Sequence, residues 1–153
     1  MGKAHSALSR EGKRAKGVEI EIKGGCLCGA VRYAAEADPT SATVCHCRDC
    51  QKFTGSAFAA LVRVAKEALT IEVTLKTFSS IGGSGNPILR HFCPECGSSI
   101  AEEPGTLPGI IVLNVGTFDH PTVATPGHEI FRDDAVPWIE VHGEVSRFAK
   151  RAG

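Results

Sequence analysis

The sequence predicts a mainly β fold, either a barrel or packed antiparallel sheets of short strands. No segment keeps helical periodicity over three turns, and about ten short apolar or alternating stretches are separated by turns rich in Gly, Pro and Ser. The seven cysteines stand in three tight groups, as expected of a small β domain that metal ions hold together. A chain of 153 residues is long enough for one domain with its own core and too short for two of ordinary size.

The first 17 residues differ in charge from the rest of the chain. They carry one acidic residue, Glu11, and five basic residues: Lys3, Arg10, Lys13, Arg14 and Lys16. This gives the segment a charge of +4, and because the whole chain is neutral, the remainder carries −4. A basic segment can bind nucleic acid, but a negatively charged body does not suit that partner. We therefore expect a flexible, solvated tail at residues 1–17 and a single zinc-binding β domain at residues 18–150.

Targeting and membrane signals are missing from the sequence. The longest apolar stretch, residues 109–115, has the length of a strand, whereas a membrane span needs about 20 residues. The N-terminus has no apolar signal-peptide region. Seven cysteines cannot all pair in disulfides, and free thiols suit a reducing compartment. We expect a cytoplasmic protein with no membrane partner.

Short strands and tight turns are predicted along the first half of the domain. Residues 18–22 alternate with a period of two, as a half-buried strand does. The predicted strands in this half are 18–22, 29–33, 43–45 and 56–64. Helical turns are predicted at 48–53, which Gly55 ends, and at 65–68.

The second half continues the same pattern. The glycine-rich run 82–85 with Pro87 predicts a loop. The predicted strands are 69–73, 75–78, 88–92, 98–101, 110–115, 128–131 and 138–141. We expect Tyr33 and Trp138 in the core or on a strand face.

Two cysteine pairs predict a closed zinc site. In Cys93–Pro–Glu–Cys96 both sulfurs can face one ion, and the glycine that follows accepts a positive φ. Cys26 and Cys28, two positions apart on an extended segment, project to one face and can complete the site. A metal ion at such a site would link the first hairpin to a distant strand. Redox-active dithiols are the less favoured alternative, because a Cys-x-Cys disulfide is strained and no thioredoxin-like βαβ unit is present.

The other three cysteines, Cys45, Cys47 and Cys50, predict an open zinc site. Three thiolates leave the fourth coordination position to water or substrate. His46 lies between two of them and should point to the opposite face, so we expect it to pack or to support the ligands. His91 is by default a strand residue, with the roles of fourth ligand and acid–base group left open.

An open zinc ion with three thiolate ligands favours thiol chemistry. A thiol at the vacant position is held as the thiolate, which is the nucleophilic form. Thiolate ligands also weaken the Lewis acidity of zinc, so activation of water suits the site less well. The ligands alone therefore predict an enzyme whose bound thiol attacks, or leaves, an electrophilic carbon. The competing prediction is a non-catalytic zinc-scaffolded binding module or an adduct carrier.

Three segments resemble the glutathione-dependent formaldehyde-activating enzyme family, which also includes centromere-associated members. They are residues 24–33, 45–56 and 92–98, and residues 116–119 and 137–138 also fit, so that the resemblance spans residues 18–148. It implies an Mss4-like fold with two zinc ions per chain. The implied activity is that of a carbon–sulfur lyase that joins glutathione to formaldehyde, or to a similar small aldehyde, as S-hydroxymethylglutathione.

The resemblance also implies the site residues. The structural zinc ligands would be Cys26, Cys28, Cys93 and Cys96, and the catalytic ones Cys45, Cys47 and Cys50. Because glutathione is anionic, the candidate substrate contacts are Arg48, Gln51 and Lys52, with Arg63, Arg90 and Arg132 as more distant candidates. Gln51, Thr54 and Ser56 would either hydrogen-bond to zinc-bound sulfurs or cap the helical turn.

Overall fold

The computed structural model describes residues 17–152, with the backbone alone for Ser41. The predicted basic tail, residues 1–17, lies outside the described residues apart from Gly17. Over the described range the chain forms eleven strands and one α-helix, so the predicted mainly β fold is confirmed. No helix in this range has the length and apolar character needed to cross a bilayer.

The strands are short and follow one another closely. They are β1 (Ile20–Gly25), β2 (Arg32–Ala37), β3 (Ala42–Cys45), β4 (Ala59–Ala65), β5 (Leu69–Ile71), β6 (Lys76–Ile81), β7 (Pro87–Phe92), β8 (Ser99–Pro104), β9 (Ile110–Asn114), β10 (Pro126–Ile130) and β11 (Ser146–Arg147). The helix α1 (Arg48–Thr54) follows β3, and a 3-10 turn at Lys66–Ala68 follows β4, as the sequence predicts.

The strands form two sheets. The small sheet has the order β1-β2-β5, and the large sheet has the order β11-β10-β3-β4-β9-β8-β7-β6. Neighbouring strands are antiparallel except that β10 runs parallel to both β3 and β11. The parallel pairing aligns Ile130 with Cys45, so the end of β10 lies beside the first of the three cysteines at positions 45, 47 and 50.

The main core lies between the two sheets. Ile22 and Tyr33 come from the small sheet, and Val62, Val64 and Leu113 come from the large one. Tyr33 is 4% exposed, as predicted for a core residue, and its hydroxyl lies 2.7 Å from Thr117 Oγ1. Each fully buried aliphatic side chain contributes about 1.5–3 kcal/mol to stability.

A second apolar cluster covers the opposite face of the large sheet. Successive strand residues point to opposite faces, so Leu61 and Val112 pack away from the main core while their neighbours fill it. This second cluster includes Cys45 and Cys50. The three cysteines at positions 45, 47 and 50 thus pack into the cluster on this second face, away from the main core.

The structure differs from the prediction in three places. Residues 138–141 form no strand, and Trp138 is 72% exposed rather than packed in the core. Their alternating pattern resembles a strand, but the place beside β10 is taken by β11, which was not predicted. The return strand predicted at 29–33 begins at Arg32, because Gly29 has φ 82° and belongs to the turn.

Candidate metal centres and the adjoining cavity

Four cysteines meet where the two sheets approach each other. Cys26 and Cys28 lie in the turn between β1 and β2, and Cys93 and Cys96 lie in the turn between β7 and β8. Their sulfurs all lie within 4.8 Å of one another. The Cys28 and Cys93 sulfurs are 3.8 Å apart, and those of Cys26 and Cys28 are 3.5 Å apart. This four-cysteine cluster could hold a metal ion that ties the small sheet to the large one.

The two turns supply hydrogen-bond donors to these sulfurs. The backbone N–H of Val31 donates to Cys26 Sγ at 3.2 Å. The Ser98 hydroxyl, 3.1 Å from Cys96 Sγ, lowers the pKa of that thiol to about 5. Gly97 has φ 76°, which turns the chain back toward the cluster. Donors around a thiolate stabilise its charged form, which is the form that binds metal.

The other three cysteines form a second group, here called the triplet. Cys45 ends β3, Cys47 precedes α1, and Cys50 lies in the first turn of α1. The Cys47 sulfur caps this helix by accepting from the N–H of Cys50 at 3.3 Å, and Gly55 ends the helix with φ 68°. The three sulfurs lie within 4.8 Å of one another, with Cys45 and Cys50 buried. The triplet could therefore hold a second metal ion.

The three thiols of the triplet cannot ionise independently. Hydrogen bonds from Cys45 and Cys50 lower the pKa of Cys47 to about 2. The hydrogen bond with Cys47 raises the pKa of Cys45 to about 12. The hydrogen bonds of Cys50 with Cys45 and Cys47 raise the pKa of Cys50. Ionisation of one thiol therefore opposes ionisation of the other two. A cation among them would allow all three to be thiolates, which is the chemistry of a metal site.

The triplet opens into a cavity of about 620 Å³. Its walls come from α1, the central strands, the loop between β6 and β7, and the segment after β11. Charged side chains in the lining are Arg48, Asp49, Arg63, Arg90, Glu102, Asp134 and Arg151. None of the four other cysteines lines this cavity.

Arg90 and Glu102 are buried in the cavity wall beside the triplet. The Arg90 Nε atom lies 3.5 Å from Glu102 Oε2, and the side chains are 4% and 5% exposed. Glu102 Oε1 is 3.9 Å from Cys50 Sγ. Burial raises the pKa of Glu102 to about 7, although Arg90 opposes the shift. Arg90 lines the cavity, and its Nη2 atom lies 3.8 Å from Asp49 Oδ2. Neither Nε nor Nη2 makes a hydrogen bond among the described residues.

Sequence reasoning placed Arg90 at a distance from the triplet and did not identify Glu102. They stand on β7 and β8, 40 and 52 positions after Cys50, and only strand order brings them to the triplet. One signal was available, the charged Arg90 inside the predicted strand 88–92, and none indicated Glu102, which follows the predicted strand 98–101. Arg63 also lines the cavity, whereas Arg132 does not.

The residues predicted beside the triplet divide into two groups. Arg48 lines the cavity and its guanidinium contacts Gln51 Oε1. Gln51 is buried outside the lining, where its Nε2 donates to the carbonyls of His46 at 2.6 Å and Asp134 at 3.1 Å. Lys52 is exposed and does not line the cavity.

The remaining polar residues of this region support the backbone. The Thr54 hydroxyl donates to the carbonyl of Cys50 at 2.8 Å and the N–H of Ser56 donates to that hydroxyl at 3.3 Å, which caps the end of α1. His46 is fully buried beside Glu129. His91 lies on β7, where its ring contacts Thr77 and Glu103.

Phe131, which follows β10 on the cavity wall, has φ 55°. The left-handed region is uncommon for an aromatic residue and costs about 1 kcal/mol or more. The surrounding backbone enforces it, because the Phe131 N–H donates to the carbonyl of Lys150 at 2.9 Å. The strained residue thus turns the chain at the cavity.

Comparisons with known proteins agree with this description. Residues 21–134 match the model of a family described as glutathione-dependent formaldehyde-activating enzyme. A crystal structure of a Rhodobacter sphaeroides protein, a structural genomics target, has 24% sequence identity and a TM-score of 0.53. The match covers 63% of this chain and 87% of that chain, and it concerns the fold alone. No curated protein matches the chain.

Proposed function

This chain belongs to the glutathione-dependent formaldehyde-activating enzyme family, and from that we propose a zinc-dependent carbon–sulfur lyase. It would bind a small thiol, glutathione or a close analogue, at the triplet. There it would form or break the adduct of that thiol with formaldehyde or a similar small aldehyde. The family is an enzyme family, and the two cysteine groups could hold metal ions.

The difference between the two cysteine groups carries the proposal. The triplet opens into the 620 Å³ cavity, whereas the four-cysteine cluster does not. Small-molecule sites usually measure about 300–1,000 Å³, so a tripeptide thiol and a small aldehyde fit this cavity together. A group of three ligands beside a cavity is the arrangement of a catalytic metal site, and a group of four is that of a structural one.

The spacing of the four-cysteine cluster supports zinc as its metal. A tetrahedral ion with Zn–S bonds of about 2.3 Å sets its sulfurs about 3.8 Å apart. The Cys28–Cys93 separation of 3.8 Å and the Cys26–Cys28 separation of 3.5 Å fit this value. Zinc at this cluster would contribute folding free energy and take no part in the reaction.

At the triplet, a bound zinc ion would supply a position at which the substrate sulfur is held as a thiolate. Cys45, Cys47 and Cys50, which line the cavity, would hold that ion. The thiolate sulfur attacks the aldehyde carbon, a carbon–sulfur bond forms, and the carbonyl oxygen takes up the proton that the thiol released. The reverse reaction breaks the same bond.

The other charged groups of the cavity would bind and orient the substrate. Arg48 and Arg90 present guanidinium groups to a cavity whose lining has four arginines against three carboxylates. A guanidinium group on the cavity wall can pair with a carboxylate of an anionic thiol. Glu102, held beside Cys50 by Arg90, would accept a hydrogen bond from the hydroxyl of the adduct. Seven free thiols support a reducing, cytoplasmic setting.

The test combines metal content with turnover. The reduced protein should bind two zinc ions per chain and accelerate the exchange between free and glutathione-bound formaldehyde, measured by NMR. A Cys47→Ser variant should keep one zinc ion and lose the acceleration. Glutathione binding without acceleration would instead indicate an adduct carrier, and a wild-type protein with a single zinc ion would contradict the proposal.

A further inference from the structure

The middle residues of the two Cys-x-Cys segments of this chain differ in burial. Leu27, between Cys26 and Cys28 of the four-cysteine cluster, is 90% exposed. His46, between Cys45 and Cys47 of the triplet, is 0% exposed. Burial of a polar ring costs free energy unless the ring is hydrogen-bonded. The buried ring of His46 therefore requires a hydrogen-bond partner, whereas the exposed Leu27 side chain does not.

The His46 ring has one hydrogen-bond partner among the described residues, the carboxylate of Glu129. His46 Nε2 lies 2.8 Å from Glu129 Oε1. A carboxylate accepts, so Nε2 donates. Nδ1 is buried and has no hydrogen-bond partner among the described residues. The orientation of the ring therefore depends on Glu129.

Glu129 is itself fixed by the C-terminal strands. It is 2% exposed on β10, and its Oε2 accepts from Arg147 Nε on β11 at 3.1 Å. Arg132 Nε lies 3.7 Å from the same oxygen. Phe148 N–H donates to the Glu129 carbonyl at 2.8 Å. A buried carboxylate with these partners is an immobile anchor.

The backbone of His46 is held as firmly as its ring. Its N–H donates to the carbonyl of Ile130 at 3.1 Å, and its carbonyl accepts from Gln51 Nε2 at 2.6 Å. Rotation about this one residue sets the angle between the sulfurs of Cys45 and Cys47. A site with three protein ligands has fewer internal constraints than one with four, so its geometry depends more on such support.

We propose that His46 and Glu129 form a positioning pair, which orients Cys45 and Cys47 toward one metal ion and so sets the metal affinity of the triplet. The inference rests on the proposed function, because it takes the triplet to hold a metal. The four-cysteine cluster has no such pair at Leu27, and its affinity is independent of Glu129. Outer-shell partners of this kind typically change metal affinity by 10–100-fold.

The test compares Glu129→Gln with a matched control, Glu103→Gln. Glu103 accepts from His91 Nε2 at 3.0 Å and contacts Lys66, so it forms a second histidine–glutamate pair outside the cavity lining. The Gln variants keep the size and one acceptor oxygen but lose the charge. Zinc release from each protein is titrated with a chromophoric chelator, and cobalt(II) spectra of the two sites are recorded with Cys47→Ser as the reference for the four-cysteine cluster.

We expect Glu129→Gln to release one metal ion at a chelator concentration 10–100-fold lower than the wild type, with a changed cobalt spectrum for the triplet alone. The second ion and the far-ultraviolet circular dichroism should stay as in the wild type, and Glu103→Gln should match the wild type throughout. Unchanged affinity at the triplet would overturn the inference. Loss of both ions together with the fold would also overturn it, because the pair would then hold the fold rather than the site. A wild-type protein that binds a single ion would contradict the proposed function itself.

Discussion

The sulfur atoms of Cys28 and Cys93 lie 3.8 Å apart although 65 positions separate them in the chain. Cys28 belongs to the hairpin of the small sheet and Cys93 to the large sheet, so the four-cysteine cluster joins the two sheets at one point. The triplet, in contrast, lies within a short segment of the large sheet and its helix. The two groups should therefore respond differently to the loss of one sulfur.

Cys96→Ser should abolish soluble folding, because the cluster would lose one ligand of the ion that joins the sheets. Cys47→Ser should leave the fold intact and remove one metal ion per chain. Circular dichroism and metal analysis of the purified proteins measure both effects. Equal unfolding of the two variants would show that the division into a structural and a catalytic group is wrong.

Metal removal should proceed in two stages. With increasing chelator at neutral pH, the first ion should leave from the triplet with little change in circular dichroism, because three ligands hold it beside a cavity. The second should leave together with the fold. Release of both ions in a single step, with unfolding, would contradict this order.

Tyr33 provides a pH probe of the packing between the sheets, since it is the single tyrosine of the chain. Burial raises the pKa of its phenol to about 12, above the ordinary value of 10.0, although the hydrogen bond with Thr117 opposes the shift. The fold favours the neutral phenol, so this contribution of about 3 kcal/mol is fully present below pH 10 and is lost as the pH rises toward 12. Tyrosinate absorbance should appear near pH 12 in the folded protein and near pH 10 in denaturant; equal midpoints would contradict the burial.

Arg48 and Lys52 form a matched pair on α1, because Arg48 lines the cavity and Lys52 does not. Arg48→Ala should raise the KM for glutathione about 10-fold, the value of one lost charge-assisted hydrogen bond. Lys52→Ala should leave this KM unchanged. An uncharged thiol substrate should show no difference between the two variants. Equal effects with glutathione would exclude Arg48 as a specific contact.

The sequence predicts some parts of this site well and others not at all. The spacings of Cys45, Cys47 and Cys50 predict the triplet, because nearby residues in the chain converge without help from the rest of the fold. The partner of His46 could not be predicted, because Glu129 reaches it through a parallel pairing of β10 with β3 across 83 positions. Sequence periodicity indicates that a strand exists but leaves its neighbours in the sheet undetermined.

The same limit explains the exposed Trp138. Its local pattern fits a strand, and whether a strand forms depends on a free sheet edge, which β11 occupies. Arg90 was named only as a more distant candidate, and Glu102 was not named, because strand order alone places them beside the triplet. The sequence indicates which residues can act together when they are close in the chain, whereas contacts between distant residues depend on the order of the strands in the sheet.

The most direct test of the proposed function is a glutathione titration of the cobalt(II)-substituted protein. Binding of the substrate sulfur at the triplet should add a fourth thiolate ligand, so the sulfur-to-cobalt charge-transfer band should grow and the visible bands should shift. Cys47→Ser, which should retain cobalt at the four-cysteine cluster alone, should show no change. A wild-type spectrum that glutathione leaves unaltered, with cobalt present at the triplet, would contradict thiol binding at this site.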